Sequence, residues 1–94
     1  MTWMITTTSK ARKQIGLMPE GVRANYAALA KELELLGPYR ANWKHFGKLV
    51  GSKSLFHCHI TSGRPTYVAC WEVLDKRIHL VEVYYVGTHE NAPY

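Results

Sequence analysis

Two histidines alternate along LFHCHI, His57 and His59, and a third, His89, stands just past the last apolar stretch, followed by Glu90 and, a little further on, Tyr94. Histidine, tyrosine and carboxylate are the groups that move protons near neutral pH, and imidazole is the one whose ordinary pKa already lies there. Gathered towards one end of a small basic protein, they point to chemistry on a phosphodiester. An RNA strand is cut when its own 2′-OH attacks the neighbouring phosphate in line. That reaction needs a base for the hydroxyl, an acid for the departing 5′-oxygen and positive charge for the crowded phosphorane. Imidazoles suit the first two roles and arginine or lysine the third. In a strand, Leu55, His57 and His59 point to one face while Phe56, Cys58 and Ile60 point to the other. Both imidazoles then line the face away from any covering helices, ~7 Å apart by the strand rise. Taken singly, an exposed histidine on a solvated sheet face does nothing; the argument rests on several converging.

The elements that must position these groups have to come from one domain, residues 1–94, because the chain has 94 residues. At 47% hydrophobic, with three Trp, six Tyr and two Phe, it can fill a compact core. Twelve Lys and Arg against seven Asp and Glu leave a net charge of +5, spread along the chain. Such a balance favours an anionic partner, nucleic acid first and an acidic protein segment second. Cys58 and Cys70 do not make a disulfide framework, and MTWMITTTSK lacks the features of a secretory signal, so a cytoplasmic location is expected. No apolar run approaches the ~20 residues that cross a bilayer.

Periodicity divides the chain into halves. Residues Trp3 to Thr8 are rich in β-branched types and predict a short first strand. Ser9 reads as an N-cap for a helix over Lys10 to Leu17, and Pro19, which lacks the amide a continuing helix needs, separates it from a second helix over Pro19 to Leu36. There Val22, Tyr26, Leu29, Leu33 and Leu36 step by four and three along one stripe, and Gly37-Pro38 stops it. After a linker from Tyr39 to Lys53, strands are predicted at Leu55 to Thr61, Thr66 to Leu74 and Ile78 to Val86. The expected architecture is α+β: a helical hairpin packed on a small, largely antiparallel four-stranded sheet in the order β-α-α-β-β-β. In the last strand the set Leu80, Glu82, Tyr84 and the set Val81, Val83, Tyr85 are both mixed, and a bulge would exchange their faces.

This order of elements, with FGKLVGSKSLFHCHI, then RPTYVACWEV, then RIHLVEVYYVGTH and a tyrosine just beyond, resembles the RelE/ParE/HigB group of bacterial type II toxins. The resemblance covers nearly the whole chain. It implies the toxin component of a toxin-antitoxin system, a metal-independent endoribonuclease (mRNA interferase) that needs no cofactor and inhibits translation by cutting mRNA, in many members at the ribosomal A site. Partners would be a cognate antitoxin, mRNA and ribosomal RNA. His57 and His59 fall where RelE-type toxins place two basic residues, His89 where an arginine or histidine follows the final strand, and Tyr94 on a tyrosine that stacks on a base or assists proton transfer. A catalytic arginine of the RelE pattern would align with Val68, where no basic residue stands; Arg64, in the preceding turn, is the candidate replacement. The implied mechanism is then centred on histidine, with His57 or His59 as base and His89 as acid.

In the linker, Arg40, Lys44, His45, Lys48 and Lys53 are interleaved with Tyr39, Trp43 and Phe46. Arg40, Lys44, Lys48 and Lys53 are candidate contacts to an RNA backbone, while the aromatics serve better to pin the linker to the core. Zinc at Cys58, His57, His59 and Cys70 is not expected, since alternation sends Cys58 to the face opposite the histidines. Glu72, Glu82 and Glu90 are too scattered for a metal cluster. Two readings outside RNA cleavage share the fold or the charge: a ParE-like inhibitor of DNA gyrase, and a non-catalytic module that binds RNA or protein.

Overall fold

Helix α2 (Glu20–Leu36) forms on the expected stripe, with Tyr26, Leu29 and Leu33 buried against the sheet. Leu36, predicted to continue the stripe, is instead 65% exposed, because the helix ends there and Gly37 turns the chain at φ 96°. Helix α1 (Ser9–Leu17) is capped one residue earlier than predicted: Thr8, not Ser9, accepts the Ala11 amide at 3.1 Å. The structure, a computed structural model, describes residues 2–49, 51 and 54–94.

Five strands among the described residues form one sheet, where four were expected: β1 (Met4–Thr7), β2 (Lys44–Lys48), β3 (Leu55–His59), β4 (Tyr67–Asp75) and β5 (Leu80–Thr88). Their order is β1-β5-β4-β3-β2. The additional strand, β2, comes from the middle of the predicted linker. It lies antiparallel to β3, which in turn pairs antiparallel with β4, and β4 with β5; β1 alone runs parallel to its neighbour, β5. Beyond the reach of β1 the edge of β5 is closed by α1, where Gln14 Oε1 accepts the Val86 amide at 3.0 Å. This satisfies a backbone donor that the short first strand leaves behind.

Alternation sorts the strands as predicted for β3. Phe56 and Cys58 face the helices with Ala69, Trp71, Val73, Val81, Val83 and Val86, in one core that includes Ala11, Tyr26, Leu29 and Leu33. Trp71 and Phe56 are its largest fully buried side chains, each contributing ~1.5–3 kcal/mol by removal from water. The Trp71 indole N–H is satisfied by the Pro38 carbonyl at 3.1 Å, which also fixes the start of the linker. In β5 the register shifts between Val83 and Tyr85. That bulge carries Tyr85 to the opposite face, where it packs with Val68, Cys70, Tyr84 and Ala92 in a second, smaller cluster.

Candidate active site

The face away from the helices is where the sequence placed His57 and His59. Both are half-buried on β3, with Cys70 and Val68 of β4 as their cross-strand partners. After β5, the 3-10 turn His89–Asn91 folds back, held by the His89 amide donating to the Thr66 carbonyl at 2.8 Å. The residues that follow cross the face, Ala92 covering Val68, Cys70 and Tyr85, and Tyr94 arriving over His57. The Tyr94 ring lies 4.5 Å from that of His57 and 6.1 Å from that of His89, and His89 meets His59 edge-on at 5.3 Å. All four predicted groups therefore share one face.

A fifth ring joins them that the sequence left in the linker. His45 stacks on His59 with centroids 4.2 Å apart. It sits in the irregular stretch of β2 between Lys44 and Gly47, with φ 56°. A left-handed backbone is uncommon for a residue with a side chain, although histidine adopts it more readily than most, and His79 shares it at φ 54°. Gly47 stands opposite His57, and a Cβ there would lie 3.7 Å from His57 Nε2.

The electrostatics follow from this crowding. Burial, and then the charges of His45 and His89, hold the His57 imidazole below its ordinary value of 6.5. His59 is lowered for the same reasons, with His57 adding to the repulsion. Both rings are thus neutral near pH 7 and able to accept a proton. His57 Nδ1 is buried with no hydrogen-bond partner among the described residues. A buried ring nitrogen without a partner is costly whether or not it carries the proton. Burial pushes the Tyr94 hydroxyl up, so it stays protonated.

The candidate cations are not all brought to this face. Arg64 is exposed and lines a cleft together with Thr66, His89 and Glu90. Lys44 pairs in register with His59, and Lys48 lines the hollow formed by His57 and Tyr94. Arg40 is drawn away to α2, where Nη1 donates to Glu32 at 3.2 Å and only 12% of the side chain is exposed. It is therefore a structural anchor in place of the expected RNA contact. Lys53 lies outside the described residues. Val68 is fully buried, so no cation enters from that position. Cys58 and Cys70 are buried on opposite faces, and among the described residues no three His, Cys, Asp or Glu side chains are arranged to hold an ion.

No protein-family model matches the sequence, and no curated protein does. Solved structures match over almost the whole chain. The archaeal RelE-RelB complex from Pyrococcus horikoshii OT3 aligns at a TM-score of 0.76 and 15% identity, covering 98% of this chain and 100% of that one. The fold is that of RelE. A double arginine-to-alanine mutant of E. coli RelE in the free state aligns at 0.76 and 22% identity, covering 98% of this chain and 88% of that one. RelE in the intact E. coli RelBE toxin-antitoxin complex gives 0.74 and 21% identity, with 95% and 99% covered. The RelE fold brings a five-stranded sheet, not the four strands expected, and at these identities the likeness is one of architecture.

Proposed function

We propose that this single-domain chain is the toxin of a type II toxin-antitoxin pair and an endoribonuclease that cuts mRNA through its 2′-OH, without a metal, at the ribosomal A site. One observation carries the reading: His45, His57, His59, His89 and Tyr94 converge over one sheet face, with two of the imidazoles held neutral. His57, held neutral, takes the 2′-OH proton as the oxygen attacks phosphorus. His89, across the face, gives a proton to the 5′-oxygen as the P–O bond breaks, leaving a 2′,3′-cyclic phosphate and a 5′-hydroxyl. His59 and His45 stabilise the phosphorane, assisted by Arg64, Lys44 and Lys48, and Tyr94 stacks on a base. Phosphate binding raises the depressed His59 imidazole, so the site acquires positive charge as substrate arrives while His57 stays neutral to take the proton.

A cognate antitoxin, like the RelB of the neighbouring complexes, would cover this face, and mRNA with ribosomal RNA would be the other partners. Among the described residues no helix is long and apolar enough to cross a membrane, and the proposed place of action is the cytoplasm. The test is to induce the protein in bacteria beside His57→Ala and His89→Ala variants and map new 5′ ends on an abundant mRNA by primer extension. Cuts within translated codons should fall by at least ~10²-fold in each variant. A folded His89→Ala protein that cuts at full rate refutes the assignment. Growth arrest without cuts transfers the function to gyrase, and neither leaves a binding module.

A further inference from the structure

A second recess adjoins the imidazole face and is used by nothing above. It opens where the segment after Gly37 returns along α2, it measures about 670 Å³, and it shares His59 with the candidate active site. That volume lies within the ~300–1,000 Å³ of small-molecule sites. Its walls are Asn25, Glu32, Asn42, Trp43 and Lys44.

Their hydrogen bonding is lopsided. Glu32 Oε1 accepts from Asn42 Nδ2 at 2.8 Å, Trp43 Nε1 at 3.0 Å and Arg40 Nη1 at 3.2 Å. Asn25 Nδ2 donates to the Ile60 carbonyl at 3.1 Å. One N–H of each amide is thus committed within the protein, while its second N–H, the two amide oxygens and Glu32 Oε2 stay available to a ligand. The bonds from Asn42, Trp43 and Arg40 also hold the Glu32 carboxyl below its ordinary value, so it stays ionised in the recess, with Arg40 on its Oε1 side and Oε2 left to a ligand. The bond to Trp43 pins the indole as a rigid wall, and Lys44 stands at the mouth in register with His59.

We propose that this recess is a nucleobase subsite that selects bases presenting N–H donors, guanine foremost. The inference rests on the reading of the imidazole face as a ribonuclease site. A nucleotide whose phosphate lies at His59 and Lys44 turns its base onto Trp43 and its Watson–Crick edge towards Glu32, Asn25 and Asn42. Guanine offers N1–H and an amino group side by side. Adenine and cytosine offer one amino group each, and uracil a single imide N–H flanked by two carbonyls that the Glu32 carboxylate, which can only accept, disfavours. The preference is therefore guanine over adenine and cytosine, with uracil last.

The test is a titration of the isotopically labelled full chain with the 3′-monophosphates of guanosine, adenosine, cytidine and uridine, following the Trp43 indole and the Asn25 and Asn42 side-chain amides by NMR. Guanosine 3′-monophosphate should shift all three signals and bind ~10-fold more tightly than the uridine compound, the value of a well-made hydrogen-bonded pair. In Glu32→Gln, which keeps an acceptor for Trp43, that ratio should fall towards one while uridine binding stays the same. Equal binding of all four, or shifts confined to His57 and Tyr94, overturns the subsite. The readout needs no cleavage: selective shifts without scission keep the subsite and refute the nuclease, whereas scission without selective shifts does the reverse.

Discussion

Replacing Glu32 by alanine should unfasten the segment that brings β2 to the sheet, and the size of the loss can be worked out from its three bonds. Asn42 is exposed and returns to water at little cost. The Trp43 N–H is part-buried and loses its acceptor, ~1 kcal/mol. Arg40 is left with 12% of its side chain exposed, its Nε already buried without a partner and its counter-charge gone, ~1–3 kcal/mol. Because 31% of the Glu32 side chain is exposed, solvent screens part of this. The net expectation is ~2–3 kcal/mol, which in a chain of 94 residues lowers Tm by ~10–20 °C. Urea denaturation followed by tryptophan fluorescence measures it, with Arg40→Met and the double variant closing a cycle whose coupling should be ~1–2 kcal/mol. A loss below ~1 kcal/mol together with additive single effects would refute the reasoning. The carboxyl titrates below its ordinary 4.5 when folded. Its contribution is therefore complete above that value and disappears as pH falls through the folded pKa.

His57 and His59 are depressed below 6.5, so the unfolded chain binds more protons than the folded one as pH drops from that value. Stability should decline through this window, and a His57→Asn, His59→Asn double variant should flatten the slope in denaturation measured from pH 7 to 5. Tyr94→Ala should lower cleavage by ~10-fold while Tyr94→Phe retains most of it, since the ring stacks 4.5 Å from His57 and its hydroxyl is held protonated; equal loss in both, by primer extension, would assign the role to the hydroxyl. Gly87→Ala places a Cβ 2.8 Å from the Tyr85 hydroxyl, which donates to the Thr88 carbonyl at 2.7 Å, and should cost ~1–3 kcal/mol in urea denaturation. The Cys58 and Cys70 thiols, both pushed up to about 12 by burial, should react with a thiol reagent at pH 8 only after denaturation; fast reaction of the folded protein would contradict their burial.

Much of the architecture is legible because it is written in periodicity. The stripe Tyr26, Leu29, Leu33 and the alternation Phe56, Cys58 against His57, His59 each report a single buried face, and burial decides both the element and its orientation. Strand β2 escapes such reading. KHFGK buries no residue fully, with only Phe46 packing against the main core, and it reaches its partner through an irregular register. Its pairing is imposed by β3 and by the Glu32 anchor, neither of which leaves a local pattern. His45 is lost with it, since nothing in the order of residues says that a bulge will turn this ring onto His59. Arg40 fails for a different reason: a basic residue between aromatics looks solvated until the acid that claims it, eight positions earlier on a helix, is seen beside it. The five-residue stretch from Lys44 to Lys48 does hold one usable sign, a histidine one place from a phenylalanine that packs against the core.

The parallel pairing of β1 with β5 also constrains how the molecule is made. Met4 finds its partner in Leu80, whereas β2 to β5 pair in succession with near neighbours. Closing so long a loop is entropically slow beside hairpin formation. During synthesis the first strand emerges long before its seat exists, and α1 and α2 have no sheet to cover until β4 and β5 follow. Assembly therefore waits on the same final segment that supplies His89 and Tyr94, so a nascent chain cannot acquire its imidazole face ahead of its core.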